Sequence, residues 1–227
     1  ALDGKIDAIV TLPINKEASA LSFPGFQGHT ELLAEMCGVD DFVMMLTTPD
    51  VIATHVSTHC SLQEAIERTK TKRILTVIRM THDAVSRIRP QVRIAVAGLN
   101  PHAGENGAFG REEIEEILPA IEAARKEGID VTGPFPPDTI FMQALNGAYE
   151  AIVCMYHDQG HIALKTVGFE AGVNVTVGLP IIRTSVDHGT AFDIAYQGKA
   201  STINLVNAFN LAVQMAGGGC GRSGLKA

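Results

Sequence analysis

Short runs of apolar residues alternate along the chain with longer amphipathic segments. The apolar runs are rich in β-branched residues and end at proline, glycine or polar residues, which is typical of buried strands. They predict strands over residues 6–14, 41–48, 51–59, 91–100, 149–156 and 173–180, with a further short strand at DVTGPF. Strands that alternate with helices in this way predict an α/β fold with a largely parallel sheet.

The amphipathic segments carry apolar residues at helical spacing. They predict helices over residues 30–38, 72–88, 111–128, 138–147 and 201–216. Thr30, Ser61 and Asp138 are predicted N-caps, because their side-chain oxygens can accept hydrogen bonds from the free N–H groups of a first turn. Glu64 follows Ser61 by three residues, which predicts a capping box there. Acids in the first turn, bases in the last and a terminal glycine mark 111–128 as the clearest helix.

The composition excludes several classes of protein. Of the 227 residues 46% are hydrophobic and 19% are charged, which predicts a globular chain with a sizeable core. The formal net charge of −7 argues against a nucleic-acid-binding surface. No apolar run approaches the roughly 20 residues that cross a membrane. We therefore expect neither a nucleic acid nor a membrane as a partner.

The ends of the chain and its cysteines predict the cellular setting. The first residues lack the basic flank and the cleavage site of a secretory signal. Four scattered cysteines without CxxC spacing predict reduced thiols in a cytoplasmic protein. We expect residues 1–216 to form one catalytic region and the glycine-rich residues 217–227 to form a flexible tail.

Histidines lie where several predicted strands end. His59, His102, His157 and His188 each follow an apolar run. Ligands of parallel α/β sheets bind at the carboxyl ends of strands, so three of these imidazoles could bind one divalent metal ion such as zinc or cobalt. The alternative is that each is a loop histidine that hydrogen bonds to the backbone.

Acidic and basic side chains near these histidines are further candidates. Asp158 follows His157 directly, and Asp138 begins a predicted helix. Either carboxylate could act as a general base or orient a metal ligand, although capping also explains Asp138. Lys165 and Arg183 lie in or beside apolar runs, where a cation is costly unless it faces an anion. The alternative is that both extend to solvent at the rim of the sheet.

Other segments are less informative. His29 and Thr30 begin a predicted helix, whose free N–H groups favour either an anion or an ordinary cap. Asn174 begins the predicted strand NVTVG. The loop GLNPHAGENGAFGREEIEE matches none of the dinucleotide, nucleotide or esterase fingerprints, which argues against those standard binding loops.

Seven motifs together resemble one family, the 4-hydroxythreonine-4-phosphate dehydrogenases. They are GHTE, THCSL, GLNPHAGENG, PPDT, YHDQGHIALK, VNVTVGLPIIRTS and DHGTAFDIA, in this order and spacing. The resemblance reaches to about residue 216. It implies a fold like that of isocitrate and isopropylmalate dehydrogenases, which use NAD(P) without a Rossmann glycine motif. Roughly the first third of full-length relatives has no counterpart here, so we expect the N-terminal part of the family fold to be missing.

The resemblance also implies roles for residues. It implies metal ligands at His59, His102 and His157, and substrate contacts at His29, Thr30, Lys165, Asn174 and Arg183. It implies catalytic roles for Asp138, Asp158 and Lys165, and a cofactor contact at His188. Tyr196 and Gln197 stand where relatives usually run DIAGKG, so the cofactor-side loop is expected to differ.

The implied reaction is oxidation of the C3 hydroxyl of 4-phosphooxy-threonine by NAD or NADP, with decarboxylation of the keto acid, in pyridoxal 5′-phosphate biosynthesis. The implied cofactors are a divalent metal ion (zinc, cobalt or magnesium) and the nicotinamide nucleotide. The implied partners are a small phosphorylated hydroxy acid and a second subunit, in a cytoplasmic homodimer that shares its active site.

Three alternatives stay open. PINKEA, FPGFQGHTE and GENGAFGREEI are more similar to the paralogous branch that acts on 4-phosphothreonate or 4-phosphoerythronate. A metal-dependent hydrolase would use the same three imidazoles to activate water. An inactive fragment that only binds ligands would follow from the missing N-terminal third.

Overall fold

The computed structural model describes residues 1–168 and 171–217. The chain divides into two compact units, one formed by Ala1–Phe42 with Glu170–Ala227 and the other by Val43–Phe169. We call them unit 1 and unit 2. The predicted flexible tail, 217–227, lies outside the described residues except for Gly217. Among the described residues no helix is long and apolar enough to cross a membrane.

Unit 2 is built on a mostly parallel sheet. Its strand order is β2-β3-β6-β4-β5. The strands are β2 (Val43–Thr47), β3 (Ile52–His55), β4 (Ile94–Ala97), β5 (Val131–Phe135) and β6 (Ala151–Cys154). Only the β2–β3 pair is antiparallel, while β3–β6, β6–β4 and β4–β5 are parallel. Every residue of β3, β4 and β6 is buried, which explains the unbroken apolar sequences of β4 and β6, whereas β3 ends in the polar residues Thr54 and His55.

Helices cover the sheet of unit 2. They are α3 (Leu62–Arg68), α4 (Thr71–Ser86), α5 (Leu118–Lys126), α6 (Pro137–Leu145) and α7 (His157–Gly168). Ile140 of α6 and Leu164 of α7 join Ala53 and Ile152 of the sheet in one buried cluster. Burial of each large aliphatic side chain contributes about 1.5–3 kcal/mol, so this cluster fixes both helices to the sheet.

Helix ends in unit 2 match the sequence predictions only in part. Ser61 caps α3 by accepting a hydrogen bond from the Glu64 N–H at 3.2 Å, as predicted. The reciprocal half of the capping box is replaced by an ion pair between Glu64 and Arg68. The predicted Asp138 cap is wrong, because α6 begins at Pro137 and Asp138 is an exposed residue of its first turn.

Two further features of unit 2 differ from the predictions. The helix predicted over 111–128 begins with a π-helical turn, Glu113–Ile117, before α5 starts. The segment after β6 forms helix α7, which the apolar pattern did not predict. Its first turns contain two histidines and Gly160, which interrupt the hydrophobic periodicity from which a helix is inferred.

The described part of unit 1 combines three strands with three α-helices. The strands are β1 (Ala8–Thr11), β7 (Val173–Val177) and β8 (Ile182–Val186), in the order β1-β8-β7. The β1–β8 pair is parallel and the β8–β7 pair is antiparallel. The helices are α1 (Lys16–Ser22), α2 (His29–Cys37) and α8 (Ile203–Met215), and α8 packs on all three strands. Neither α1 nor β8 was predicted, because short polar-rich segments give a weak pattern.

The start of α2 also differs from its prediction. Its N-cap is Gly28, which offers no side-chain hydrogen bond, so the predicted capping role of Thr30 is wrong. The helix ends as predicted at Gly38, whose φ of 65° is the left-handed conformation that glycine adopts most readily. Thr30 is left with its hydroxyl available for another partner.

Candidate functional site

A cluster of histidines lies at the carboxyl ends of two neighbouring strands of unit 2. β3 and β6 are adjacent and parallel, so the residues that follow them meet at one edge of the sheet. His59 follows β3, and His157 begins the helix after β6; their ring centroids are 5.7 Å apart. His161 stacks on His157 with centroids 3.7 Å apart, and His55 lies 4.8 Å from His161.

Hydrogen bonds fix the orientation of these rings. His157 Nδ1 lies 2.7 Å from Asp158 Oδ1, the type of carboxylate contact that commonly orients a metal-binding histidine. His55 Nδ1 lies 3.2 Å from the carbonyl of Met44, which can only accept, so we assign the His55 proton to Nδ1. His55 Nε2 is then the acceptor for His161 Nδ1, 3.2 Å away.

His55 is the least accessible member of the cluster. It is 1% exposed, and burial together with the neighbouring His161 lowers its pKa from 6.5 to about 3. It is therefore neutral near pH 7. Neither His55 nor His161 was predicted from the sequence. For His161 the available signal was its spacing of four residues from His157, because residues at that spacing share one face of a helix. His55 is the last residue of β3, where helical spacing does not apply.

His102 lies elsewhere in unit 2, on the loop that follows β4. Its Nδ1 lies 3.3 Å from Glu105 Oε2, and its ring contacts Phe109 edge-on. Within residues 1–168 and 171–217, no three His, Cys, Asp or Glu side chains come close enough together to hold one metal ion. The donor chemistry of the predicted set suits a divalent cation. The structure brings His59 and His157 together but does not place His102 with them.

The other predicted residues of unit 2 lie on helices. Asp158 is the second residue of α7, and its exposed carboxylate contacts His157. Lys165 lies in the last turn of the same helix and is half-buried. Asp138 lies in the first turn of α6 and is exposed to solvent. The structure therefore places Asp158 in contact with the histidine cluster. For Asp138 it shows no such contact among the described residues.

A buried cation dominates the candidate site of unit 1. Arg183 of β8 is 5% exposed. Its guanidinium donates to the hydroxyls of Thr11 at 2.8 Å, Thr176 at 3.0 Å and Thr30 at 3.2 Å. Burial lowers its pKa, and the charge of Glu31 partly opposes that effect. Among the described residues no carboxylate forms an ion pair with it, and its side-chain hydrogen-bond partners are neutral hydroxyls.

Two of the other predicted substrate contacts lie beside Arg183. His29 and Thr30 form the start of α2, and burial together with the Arg183 charge lowers the pKa of His29. A neutral imidazole, helix N–H groups and a guanidinium thus lie in one part of unit 1. Asn174 lies on β7, the strand next to β8, and pairs with Ser185 of β8. This combination of donors suits a phosphate or a carboxylate.

The predicted cofactor contact, His188, follows β8 and is exposed. Its Nδ1 lies 2.9 Å from the Gly189 carbonyl. The unusual residue Tyr196 is also exposed, with a φ of 59°. The three described cysteines, Cys37, Cys60 and Cys154, are free thiols, as predicted. Burial raises the pKa of the Cys154 thiol, which makes that residue unreactive.

Comparison with known proteins identifies a family to which this chain is similar. A model of the family described as pyridoxal phosphate biosynthetic protein PdxA matches residues 1–212. D-threonate 4-phosphate dehydrogenase of Salmonella typhimurium is 52% identical over 217 residues, which cover 95% of this chain and 66% of that relative. The chain thus spans slightly less than two thirds of the relative's length.

Solved structures with similar folds include members of the same family. The crystal structure of 4-hydroxythreonine-4-phosphate dehydrogenase from Klebsiella pneumoniae has a TM-score of 0.86 at 51% identity, covering 95% of this chain and 65% of that one. Isocitrate dehydrogenase from Methylococcus capsulatus has a TM-score of 0.54 at 12% identity, covering 92% of this chain and 68% of that one. The predicted α/β fold of the isocitrate dehydrogenase type is confirmed.

Proposed function

Because the chain belongs to the PdxA family of pyridoxal phosphate biosynthetic proteins, we propose that it acts as an NAD-type dehydrogenase on a phosphorylated 3-hydroxy acid. The proposed substrate is 4-phosphooxy-threonine, whose C3 hydroxyl is oxidised and whose keto acid is then decarboxylated. The observation that carries the proposal is the family match over residues 1–212. A relative named D-threonate 4-phosphate dehydrogenase, 52% identical, favours 4-phospho-D-threonate as the second candidate substrate.

In unit 1 we propose an anion-binding role for His29, Thr30, Asn174 and Arg183. The support is the buried guanidinium, which hydrogen bonds to three hydroxyls and gains a full counter-charge when a phosphate or carboxylate binds. Fixing an anionic end of the substrate orients its C3–H bond, and such orientation accounts for several kcal/mol of rate enhancement in enzymes. For unit 2 we propose Lys165 as a further substrate-binding and catalytic residue.

In unit 2 we propose His59, His102 and His157 as ligands of zinc, cobalt or magnesium. A divalent cation there supplies Lewis-acid chemistry toward the substrate hydroxyl. The support is the adjacent pair His59 and His157, with Asp158 holding the His157 ring through Nδ1. Asp158 is one candidate for the residue that accepts the hydroxyl proton, and Asp138 is the other.

The remaining parts of the proposal concern cofactor and assembly. NAD or NADP is the proposed hydride acceptor, with His188 as a contact residue. We propose a cytoplasmic homodimer that shares its active site, which analytical ultracentrifugation tests by mass. Both rest on the resemblance to the family.

The direct experiment follows absorbance at 340 nm with NAD or NADP. The chain is supplied with 4-phosphooxy-threonine, 4-phospho-D-threonate or 4-phospho-D-erythronate, with and without a chelator. We expect reduced nucleotide with one of these substrates and loss of the signal on chelation. Release of inorganic phosphate without any need for nicotinamide would instead indicate a metal-dependent hydrolase. Ligand binding without turnover would indicate that this chain is a binding-only fragment.

A further inference from the structure

Glu113 is a buried carboxylate at the start of the π-helical turn in unit 2, and it is 3% exposed. A buried charge is costly unless hydrogen bonds compensate it. Its Oε1 accepts from the backbone N–H groups of Leu99 at 2.8 Å and Asn100 at 2.7 Å, and its Oε2 accepts from Asn100 Nδ2 at 3.0 Å. All three donors belong to the segment that leads from β4 into the loop of His102.

The sequence leaves room for this carboxylate at three glycines. A Cβ at Gly98 would lie 3.1 Å from Glu113 Oε1, and one at Gly104 would lie 2.6 Å from Oε2. A Cβ at Gly110 would lie 2.3 Å from the Asn100 amide nitrogen that serves the same carboxylate. Side chains at these positions would displace Glu113 or its partner.

The loop that follows is conformationally strained. His102, Ala103, Glu105 and Asn106 have φ values of 52°, 51°, 43° and 56°, so the chain makes a left-handed turn through four residues that are not glycine. Each such residue costs free energy, and the conformation persists only where its surroundings determine it. Strain of this kind clusters at functional sites. The Glu113 hydrogen bonds fix the segment immediately before this turn.

We propose that Glu113 is the positioning residue of His102. Its carboxylate holds the entrance of the left-handed turn and so sets where the His102 imidazole is presented. In this role Glu113 acts through His102 and not by contact with a ligand. The inference rests on the proposed function, in which His102 binds a divalent metal ion.

The test replaces one carboxylate oxygen and measures metal affinity. Glu113→Gln keeps the shape, but its Nε2 cannot accept the Asn100 hydrogen bond. Co²⁺ titration of the full chain, followed by visible absorption, gives Kd directly, and thermal unfolding reports the folded fraction. We expect the Kd for Co²⁺ to rise about 10- to 100-fold, as when outer-shell partners are removed. Glu115→Gln is the control. Glu115 is an exposed carboxylate two residues along the chain that pairs with Arg111, so we expect its replacement to leave the Kd for Co²⁺ unchanged.

A reference variant separates this inference from the proposed function. Weaker Co²⁺ binding in His102→Ala with unchanged binding in Glu113→Gln would overturn only the positioning role. Unchanged binding in His102→Ala would overturn the metal role of His102 and the inference with it. If Glu113→Gln fails to fold, Asn100→Ala removes the side-chain amide that donates to Glu113 Oε2 at 3.0 Å and also to Glu112 Oε2 at 2.7 Å. We then expect a smaller rise in Kd, and an unchanged Kd would overturn the proposal.

Discussion

The buried guanidinium of Arg183 hydrogen bonds to three threonine hydroxyls of unit 1. Lysine would keep the charge, but the hydrogen bonds to Thr11, Thr30 and Thr176 require the several N–H groups of a guanidinium. The sequence identified this residue because a cation beside an apolar run is unusual. The sequence could not predict which hydroxyls contact Arg183, because the three threonines come from three separate segments. Only Thr176 lies near Arg183 in the sequence.

We predict that Arg183→Lys raises the KM for the phosphorylated substrate by about tenfold or more. A charge-assisted hydrogen bond contributes about 1.5–3 kcal/mol, and 1.4 kcal/mol corresponds to a factor of ten. Steady-state kinetics measures the change. Arg87→Lys, at an exposed arginine of unit 2, serves as the control. An unchanged KM in Arg183→Lys would contradict the anion-binding role.

His55 gives the stability a pH dependence. Its pKa is about 3 in the folded protein and about 6.5 in the unfolded chain. Between these values only the unfolded state binds the proton, so stability is lost as pH falls below 6.5. We predict that from pH 7 to pH 5 the wild type loses about 2 kcal/mol more stability than His55→Asn, since one pKa unit is worth about 1.4 kcal/mol. Urea unfolding at each pH measures this. Parallel pH profiles would show that His55 is not neutral when folded.

Helix α7 carries more of the candidate site than any other element of unit 2. His157, Asp158, His161 and Lys165 lie on it. The sequence identified three of these residues through motifs but did not predict the helix. Apolar periodicity detects helices that cover a core, whereas this helix uses its first turns for polar contacts. By contrast, β4 and β6 were predicted because their burial on both faces requires continuous apolar sequence.

We predict that Gly160→Ala destabilises unit 2 although alanine is the better helix former. A Cβ there would lie 2.5 Å from His55 Nε2 and 3.1 Å from Cys154 Sγ, so the His55 ring must move and lose its bond to His161. Overpacking costs typically ~1–3 kcal/mol, against a propensity gain of ~1 kcal/mol. Denaturant unfolding measures the net loss. Ile162→Ala, at an exposed position of α7, should change stability by less than about 0.5 kcal/mol. A more stable Gly160→Ala would contradict the close packing.

At the scale of the whole molecule, two compact units each contain one candidate site. Unit 2 carries the histidines and unit 1 carries the buried arginine. The α/β class and the family were predictable because motifs and strand patterns run through the whole chain. The left-handed loop of His102 was not predictable, since four of its strained residues are not glycine.

We predict that His102→Ala abolishes turnover while stability changes by only about 0.5 kcal/mol. The side chain is 64% exposed, so its removal leaves no cavity. Its loss removes one of the three proposed metal ligands. His82→Ala, at a partly exposed histidine of α4, is the control with full turnover. Turnover near the wild-type rate in His102→Ala would exclude the proposed role.

A cobalt soak tests most directly the proposal that His59, His102 and His157 bind one divalent cation. Crystals of the chain soaked with cobalt and measured at the cobalt absorption edge locate the ion by its anomalous signal. We expect one peak about 2.0–2.1 Å from a nitrogen of each ring, with His102 turned away from Glu105. A peak bound to other residues, or His102 still paired with Glu105 while the ion is present, would contradict it.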